Sequence, residues 1–269
     1  MPYRASFLLL SVLLLGITTG VYLIANADNP ATDVLIIAPH PDDAVLCCAG
    51  LIQQSVTQGK TVRVVNITDG DSYREAAAAL SGKPASATTP ADMLRLGRIR
   101  RKEEIQALGL LGIPKKNVLF LGYPDGFLEE VYRNESNTPL TNPFTQKTRA
   151  TSNKPLTKSG MTTDLTDIFA SHNPRHIYIT GMRDTALDHQ ITYRMIMDAI
   201  NEMGYTGTLL TYIIHAEPSD TGIYPPTATT NLTRGELLIK NRAIRKYKTQ
   251  MVPDETYLSS FARDTEVFY

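Results

Sequence analysis

The chain has 269 residues, of which 27 are basic and 27 acidic, so its formal charge is zero. That balance excludes the electrostatic footprint of a nucleic-acid binder and suits a neutral glycan better. An apolar content of 42% is enough for a full core, and the region beyond residue 27 has the size of one α/β domain.

At the N-terminus, Arg4 precedes an almost uninterrupted apolar stretch over residues 5–25, close to the roughly 20 residues that span a bilayer. Ala25-Asn26-Ala27 offers an A-x-A cleavage site. Residues 1–27 are therefore expected to be a signal peptide or an N-terminal membrane anchor, with residues 28–269 as the working domain. Either way the positive-inside rule leaves that domain outside the cytoplasm: exported to an extracellular or periplasmic space, or anchored to the membrane through residues 5–25.

The apolar, β-branched run Val34-Leu35-Ile36-Ile37 reads as a buried parallel strand over 34–38. Ala38-Pro39-His40-Pro41-Asp42-Asp43 follows at its carboxyl end, where open α/β sheets place their ligands. A helix is expected over 44–58, with Cys47 and Cys48 as buried thiols, since adjacent helical positions do not suit an ordinary disulfide. Further strands are expected over 61–68, 118–122, 176–180 and 208–215, and helices over 95–109, 164–171, 191–202 and 234–246, with a short one over 75–80. Residues 133–158 lack apolar periodicity and are expected to be a lid over the substrate cleft. Residues 267–269 read as a last edge strand. This alternation predicts an α/β, Rossmann-like fold: a mostly parallel sheet with helices on both faces. A nucleotide-binding role is disfavoured, because no G-x-G-x-x-G follows the first strand.

Pro41 stiffens the turn between His40 and the aspartates, which brings an imidazole and a carboxylate together at small entropic cost. Zinc accepts such N and O donors. If Asp43 binds the ion, Asp42 is free to act as a general base. The bland alternative is that both aspartates cap the helix that follows. A catalytic zinc needs a third protein ligand. Of the five histidines, His172 and His176 read as loop or strand-edge residues. His215 ends an apolar run and faces the same edge, while His189, between a strand and a helix, is the best placed.

In order and spacing these segments resemble the PIG-L/LmbE-like family of zinc-dependent de-N-acetylases, the N-acetylglucosaminyl deacetylase type. The strand followed by Pro39-His40-Pro41-Asp42-Asp43 carries the signature. Thr68-Asp69-Gly70-Asp71, Arg101-Lys102-Glu103-Glu104 with Ala107 and Leu111-Gly112, Leu121-Gly122-Tyr123-Pro124-Asp125-Gly126, Asp188-His189 and residues 240–250 extend it over most of 32–269. The resemblance implies that His40, Asp43 and His189 hold Zn2+ and that Asp42 is the general base toward a metal-activated water. The substrate it implies is an N-acetylated sugar or glycoconjugate, and residues 28–269 are the deacetylase domain. Asp125, in the Tyr-Pro-Asp-Gly loop, is expected to grip sugar hydroxyls. The chain departs from the family at Ala186-Leu187-Asp188-His189, where relatives usually read H-P-D-H. Ala186 can neither stabilise nor protonate a transition state, so His215 is the expected substitute. The same departure supports a second reading, a catalytically impaired metal- and carbohydrate-binding protein. Asp69 stands where some relatives carry Arg, which weakens any grip on an anionic substrate group there.

Overall fold

The structure, a computed structural model, describes residues 32–136, 138–216 and 224–269. The elements in chain order are β1 (Val34–Ala38), α1 (Asp43–Thr57), β2 (Val62–Thr68), α2 (Arg74–Ser81), α3 (Pro90–Leu110), β3 (Val118–Tyr123), α4 (Leu128–Arg133) and α5 (Lys158–His172). They continue with β4 (His176–Thr180), α6 (Leu187–Met203), β5 (Thr208–Tyr212), β6 (Ala228–Asn231), α7 (Arg234–Ile244), α8 (Lys248–Ser259) and β7 (Thr265–Phe268). Five strands form one parallel sheet in the order β3-β2-β1-β4-β5. The expected Rossmann-like α/β architecture is the one the chain adopts.

Strand β1 shows why its sequence is apolar at every position. Val34, Ile36 and Ala38 enter a core shared with α1, α3, α7 and α8, while Leu35 and Ile37 enter a second core shared with α4, α5 and α6. Both faces of the sheet are therefore covered, and no position of β1 meets water. Truncating one of these side chains to Ala typically costs about 2–5 kcal/mol. The strand order reverses between β1 and β4, which pair directly from Val34↔His176 to Ile37↔Ile179. A crevice opens beyond the carboxyl ends of strands at such a reversal, and the loops after β1 and β4 carry His40 and His189.

Several boundaries differ from the sequence expectation. Helix α3 starts five residues before residue 95 because Thr89 and Asp92 form a capping box with Pro90 at the first turn. Strand β5 stops at Tyr212 rather than at 215, because the amides of Ile214 and His215 turn away to donate to Asp184 Oδ2 at 2.8 and 3.1 Å. Helix α8 has no clear sequence signal, since Pro253 and a non-helical Asp254 (φ −153°) break its periodicity. The last strand lies at 265–268, pairs antiparallel with β6, and is tied to the main sheet where Tyr269 and Thr211 exchange backbone hydrogen bonds of 2.8 and 2.9 Å.

Residues 133–158 are not a lid. None of those described lines the main cleft. The segment instead packs on the end of β3, where Ser152 N–H donates to Leu121 O at 3.0 Å and Phe144 meets Phe127 edge to face. Cys47 and Cys48 are buried as expected, yet they are joined to each other in a disulfide rather than being free thiols. The expected signal or anchor segment, residues 1–27 with its apolar stretch 5–25, lies outside the described residues. No described helix is long and apolar enough to cross a membrane.

Candidate active site

Three side chains meet at the crevice between β1 and β4. His40 Nδ1 lies 3.4 Å from Asp43 Oδ2, His189 Nε2 lies 3.4 Å from the same oxygen, and the two nitrogens are 3.3 Å apart. Donors bound at about 2.0–2.1 Å to a tetrahedral ion stand roughly 3.3–3.4 Å from one another, so this triangle fits one face of a zinc coordination shell.

The remaining atoms of the imidazoles are held as a metal site requires. His40 Nε2 is 3.0 Å from Asp125 Oδ1 and 3.6 Å from Asp188 Oδ2. His189 Nδ1 is 3.0 Å from Asp184 Oδ2 and 3.0 Å from Thr180 Oγ1. A carboxylate behind each ring fixes its orientation and leaves the opposite nitrogen unprotonated to bind an ion. Among the described residues two other groups have metal-ligating chemistry, Asp184 with His189 and His215, and Asp125 and Asp188 with His40. Both use the ring nitrogens already committed to these supporting carboxylates. The donor set of His40, Asp43 and His189 is the one that fits an ion.

The two aspartates after Pro41 take different duties, and neither caps α1 with its side chain. Asp43 Oδ2 accepts the His40 backbone N–H at 2.9 Å. Burial alone would raise its pKa, but His189 and His40 hold it below the usual carboxylate range. Asp42 sits at φ 139°, a left-handed conformation that costs a non-glycine residue on the order of 1–3 kcal/mol. That backbone turns its carboxylate into the cleft beside Asp43, where Oδ2 accepts Arg100 Nη2 at 3.0 Å. Burial pushes Asp42 up to about 6 against the opposing field of Arg100, a value suited to a base near neutral pH.

Arg100 comes from α3 and braces this turn. Its Nη2 also donates to Pro41 O and its Nη1 to Gly70 O, both at 2.9 Å. Gly70 (φ 63°) is required here, because a Cβ would lie 2.3 Å from Arg100 Nη1.

Across the cleft, His215 Nδ1 is 3.1 Å from Asp184 Oδ1, and its ring packs edge to face on His189 with centroids 4.7 Å apart. Tyr257 of α8 stacks on its other side at 6.0 Å. Burial works against a charged His215, but Asp184 and the field of Asp43 raise its pKa. Asp184 is inaccessible to solvent, and its pKa is lowered because the hydrogen bonds and charges of both histidines outweigh burial. The whole arrangement opens into a cavity of about 410 Å³ lined by His40, Asp42, Asp43, Asp125 and His215.

Of the residues expected from sequence, His40, Asp42, Asp43, His189 and His215 converge here. Asp125, expected to grip sugar hydroxyls, lines the same cavity. Its oxygens are engaged by His40 and by the Ser72 N–H at 2.8 Å, so it stands behind a ligand. Ala186 is the residue before α6 and points nothing into the cleft; its N–H donates to Asp184 Oδ1 at 3.1 Å. Sequence reasoning missed Asp184 and Arg100. The one available signal for Asp184 is an acid five residues before His189 in a strand-to-helix loop; Arg100 is one of several basic residues at 95–102 of its helix, and nothing in that run singles it out.

Comparison with known proteins matches residues 35–200, more than half of the chain, to the family described as PIG-L: GlcNAc-PI de-N-acetylase. A probable N-acetyl-alpha-D-glucosaminyl L-malate deacetylase 2 of Bacillus anthracis is 36% identical over 96 residues, which span 36% of this chain and 38% of that protein. Among solved structures, the N,N'-diacetylchitobiose deacetylase of Pyrococcus horikoshii superposes with a TM-score of 0.60 at 22% identity, covering 89% of this chain and 83% of that one. The 4-carboxy-2-hydroxymuconate hydratase of Pseudomonas putida gives 0.58 at 16% identity, with 87% and 82% covered. These two are likenesses of fold, shared here by different reactions.

Proposed function

The chain belongs to the PIG-L family, and from that premise we propose that it is a zinc-dependent hydrolase that removes acetyl from an N-acetylated sugar or glycoconjugate. The observation that carries the reading is the triangle of His40 Nδ1, Asp43 Oδ2 and His189 Nε2, with sides of 3.3–3.4 Å, and the carboxylate of Asp42 beside it. These three residues would hold the ion, which when bound supplies Lewis acidity toward the acetamide carbonyl and acidifies water.

The chain's own groups do the rest. Asp42, raised toward neutrality by burial, takes a proton from the attacking water. His215, whose pKa is raised by its hydrogen bond to Asp184 against the effect of burial, faces the cleft where Ala186 offers no side chain that could donate. It hydrogen-bonds the developing oxyanion and gives a proton to the departing amine, while Asp42 returns to its ionised form through solvent. Water adds across the C–N bond, so the products are a free amine and acetate. Asp125, Asp188 and Asp184 are positioning residues that aim the two imidazoles. Because His215 stands on the carboxylate that also orients His189, the impaired, binding-only alternative is not favoured.

We place the work of this domain outside the cytoplasm, on the strength of Arg4 and the apolar residues 5–25; fractionation of the expressed full chain tests that placement. The catalytic reading is tested by acetate release from a panel of N-acetylated mono- and oligosaccharides by the zinc-loaded full chain. Release that vanishes in Asp42→Asn while zinc stays bound supports the assignment. Loss of zinc in that variant would contradict the role given to Asp42.

A further inference from the structure

We propose that the cleft selects N-acetyl glycosides whose aglycone is neutral or cationic and rejects those bearing carboxylate or phosphate. The inference rests on the deacetylase reading of the same cleft and names its substrate class. Its basis is the inventory of charge around the cavity. Asp42, Asp43, Asp125 and Asp254 all line it, against one arginine, Arg100.

That arginine is not available to a ligand. It is 4% exposed, its two terminal nitrogens donate to Gly70 O, Pro41 O and Asp42 Oδ2, and its Nε, without a partner, is buried. The neighbouring Arg101 pairs with Asp69 at 3.3 Å, lies over the ring of Phe120 at 4.6 Å, and does not line the cavity. The histidines are engaged as well, His215 with Asp184 and His40 with Asp125. Among the described residues, then, no uncommitted cation faces the cleft. The inner carboxylates are engaged in turn, Asp42 by Arg100, Asp125 by His40 and Asp43 by the two imidazoles of the triad, so the charge an aglycone meets is that of Asp254.

The outer end adds a specificity determinant. Asp254 follows Pro253 at the break in α8, where Oδ1 accepts the Tyr257 N–H at 2.9 Å and the side chain is exposed at the rim. Tyr73 and Tyr257 line the cleft beside it. Phenols next to a carboxylate hydrogen-bond hydroxyls and accept an ammonium, but repel an anion. At an effective dielectric of about 20, like charges roughly 6–8 Å apart weaken binding by on the order of 10- to 100-fold.

The test compares kcat/KM of the zinc-loaded full chain for methyl N-acetyl-α-D-glucosaminide and for N-acetyl-α-D-glucosaminyl L-malate, which share the sugar and differ in aglycone charge. The neutral glycoside is expected to lead by at least about tenfold at low salt. The gap is expected to shrink in 0.5 M NaCl and in Asp254→Asn, because both reduce the repulsion. Equal rates, a preference for the malate glycoside, or a gap unmoved by both salt and Asp254→Asn would overturn the inference while leaving the deacetylase reading standing. Hydrolysis of neither glycoside, nor of any N-acetyl sugar in the panel, would overturn both.

Discussion

Asp184→Asn probes the hub that serves both histidines. The carboxylate accepts from Ala186 N and His215 Nδ1 through Oδ1, and from His189 Nδ1, Ile214 N and His215 N through Oδ2. The amide is nearly isosteric, but one of the two positions becomes an NH2 facing donors. The less costly orientation puts it on the Oδ1 side, where it opposes the Ala186 amide and forces His215 Nδ1 to become an acceptor. Two charge-assisted hydrogen bonds are lost in a site closed to water, at about 1.5–3 kcal/mol each, so about 3–6 kcal/mol of folding stability is expected to disappear. His189 also loses the carboxylate that fixes the orientation of its ring, which typically lowers metal affinity by about 10- to 100-fold. Urea denaturation and zinc competition against a chromophoric chelator measure the two effects, and acetate release at saturating zinc measures the third, a fall in kcat as His215 loses the carboxylate that favours its charged form. A variant that keeps wild-type zinc affinity and kcat would refute the idea that this carboxylate orients either ring.

His215→Gln is expected to lower kcat by about 10²–10³ with zinc affinity retained, read from steady-state acetate release and zinc titration, because it removes the donor and no ligand. Gly70→Ala is expected to destabilise the fold and depress kcat, since the new Cβ would sit 2.3 Å from Arg100 Nη1 at a φ of 63°; unchanged stability in urea would show that Arg100 has another resting place. Glu104 is buried, accepts the Tyr247 hydroxyl, and is pushed by burial from 4.5 to about 8. Between those pH values the folded state holds a proton that the unfolded chain has shed, so this contribution to stability is complete below about 4.5 and is lost as pH rises through about 8. Glu104→Gln is therefore expected to flatten the decline in stability between pH 5 and 8, and parallel wild-type and variant curves would count against the assignment.

The strands of the parallel sheet could be read from the sequence, most clearly where burial on both faces demands apolar residues at every position, as in Val34–Ala38, whereas β6, exposed at alternate positions, could not. The candidate ligand triad could be read for a related reason: His40 and Asp43 lie three residues apart in a stiff Pro-containing turn, and His189 follows a strand that pairs with the first. The supporting groups could not. Asp184 acts through histidines and through a strand end about 30 residues away, and Arg100 reaches Asp42 across 58 residues of sequence. Neither contact has a local signature. Asp125 was legible as a cleft residue but not as the partner of His40, because a Pro-Asp-Gly turn reads the same whichever way its carboxylate points. The 133–158 segment misled for a similar reason: lack of periodicity shows that a stretch is irregular and says nothing about which surface it covers. The roof of the cleft comes instead from α8, whose proline hides its helix.

The most direct test of the central claim is anomalous scattering at the zinc edge from crystals of the zinc-loaded chain. The account predicts a single peak about 2.0–2.2 Å from His40 Nδ1, Asp43 Oδ2 and His189 Nε2, with the Asp42 carboxylate outside the coordination shell. A peak among Asp184, His189 and His215, or an ion ligated by Asp42 itself, would contradict it.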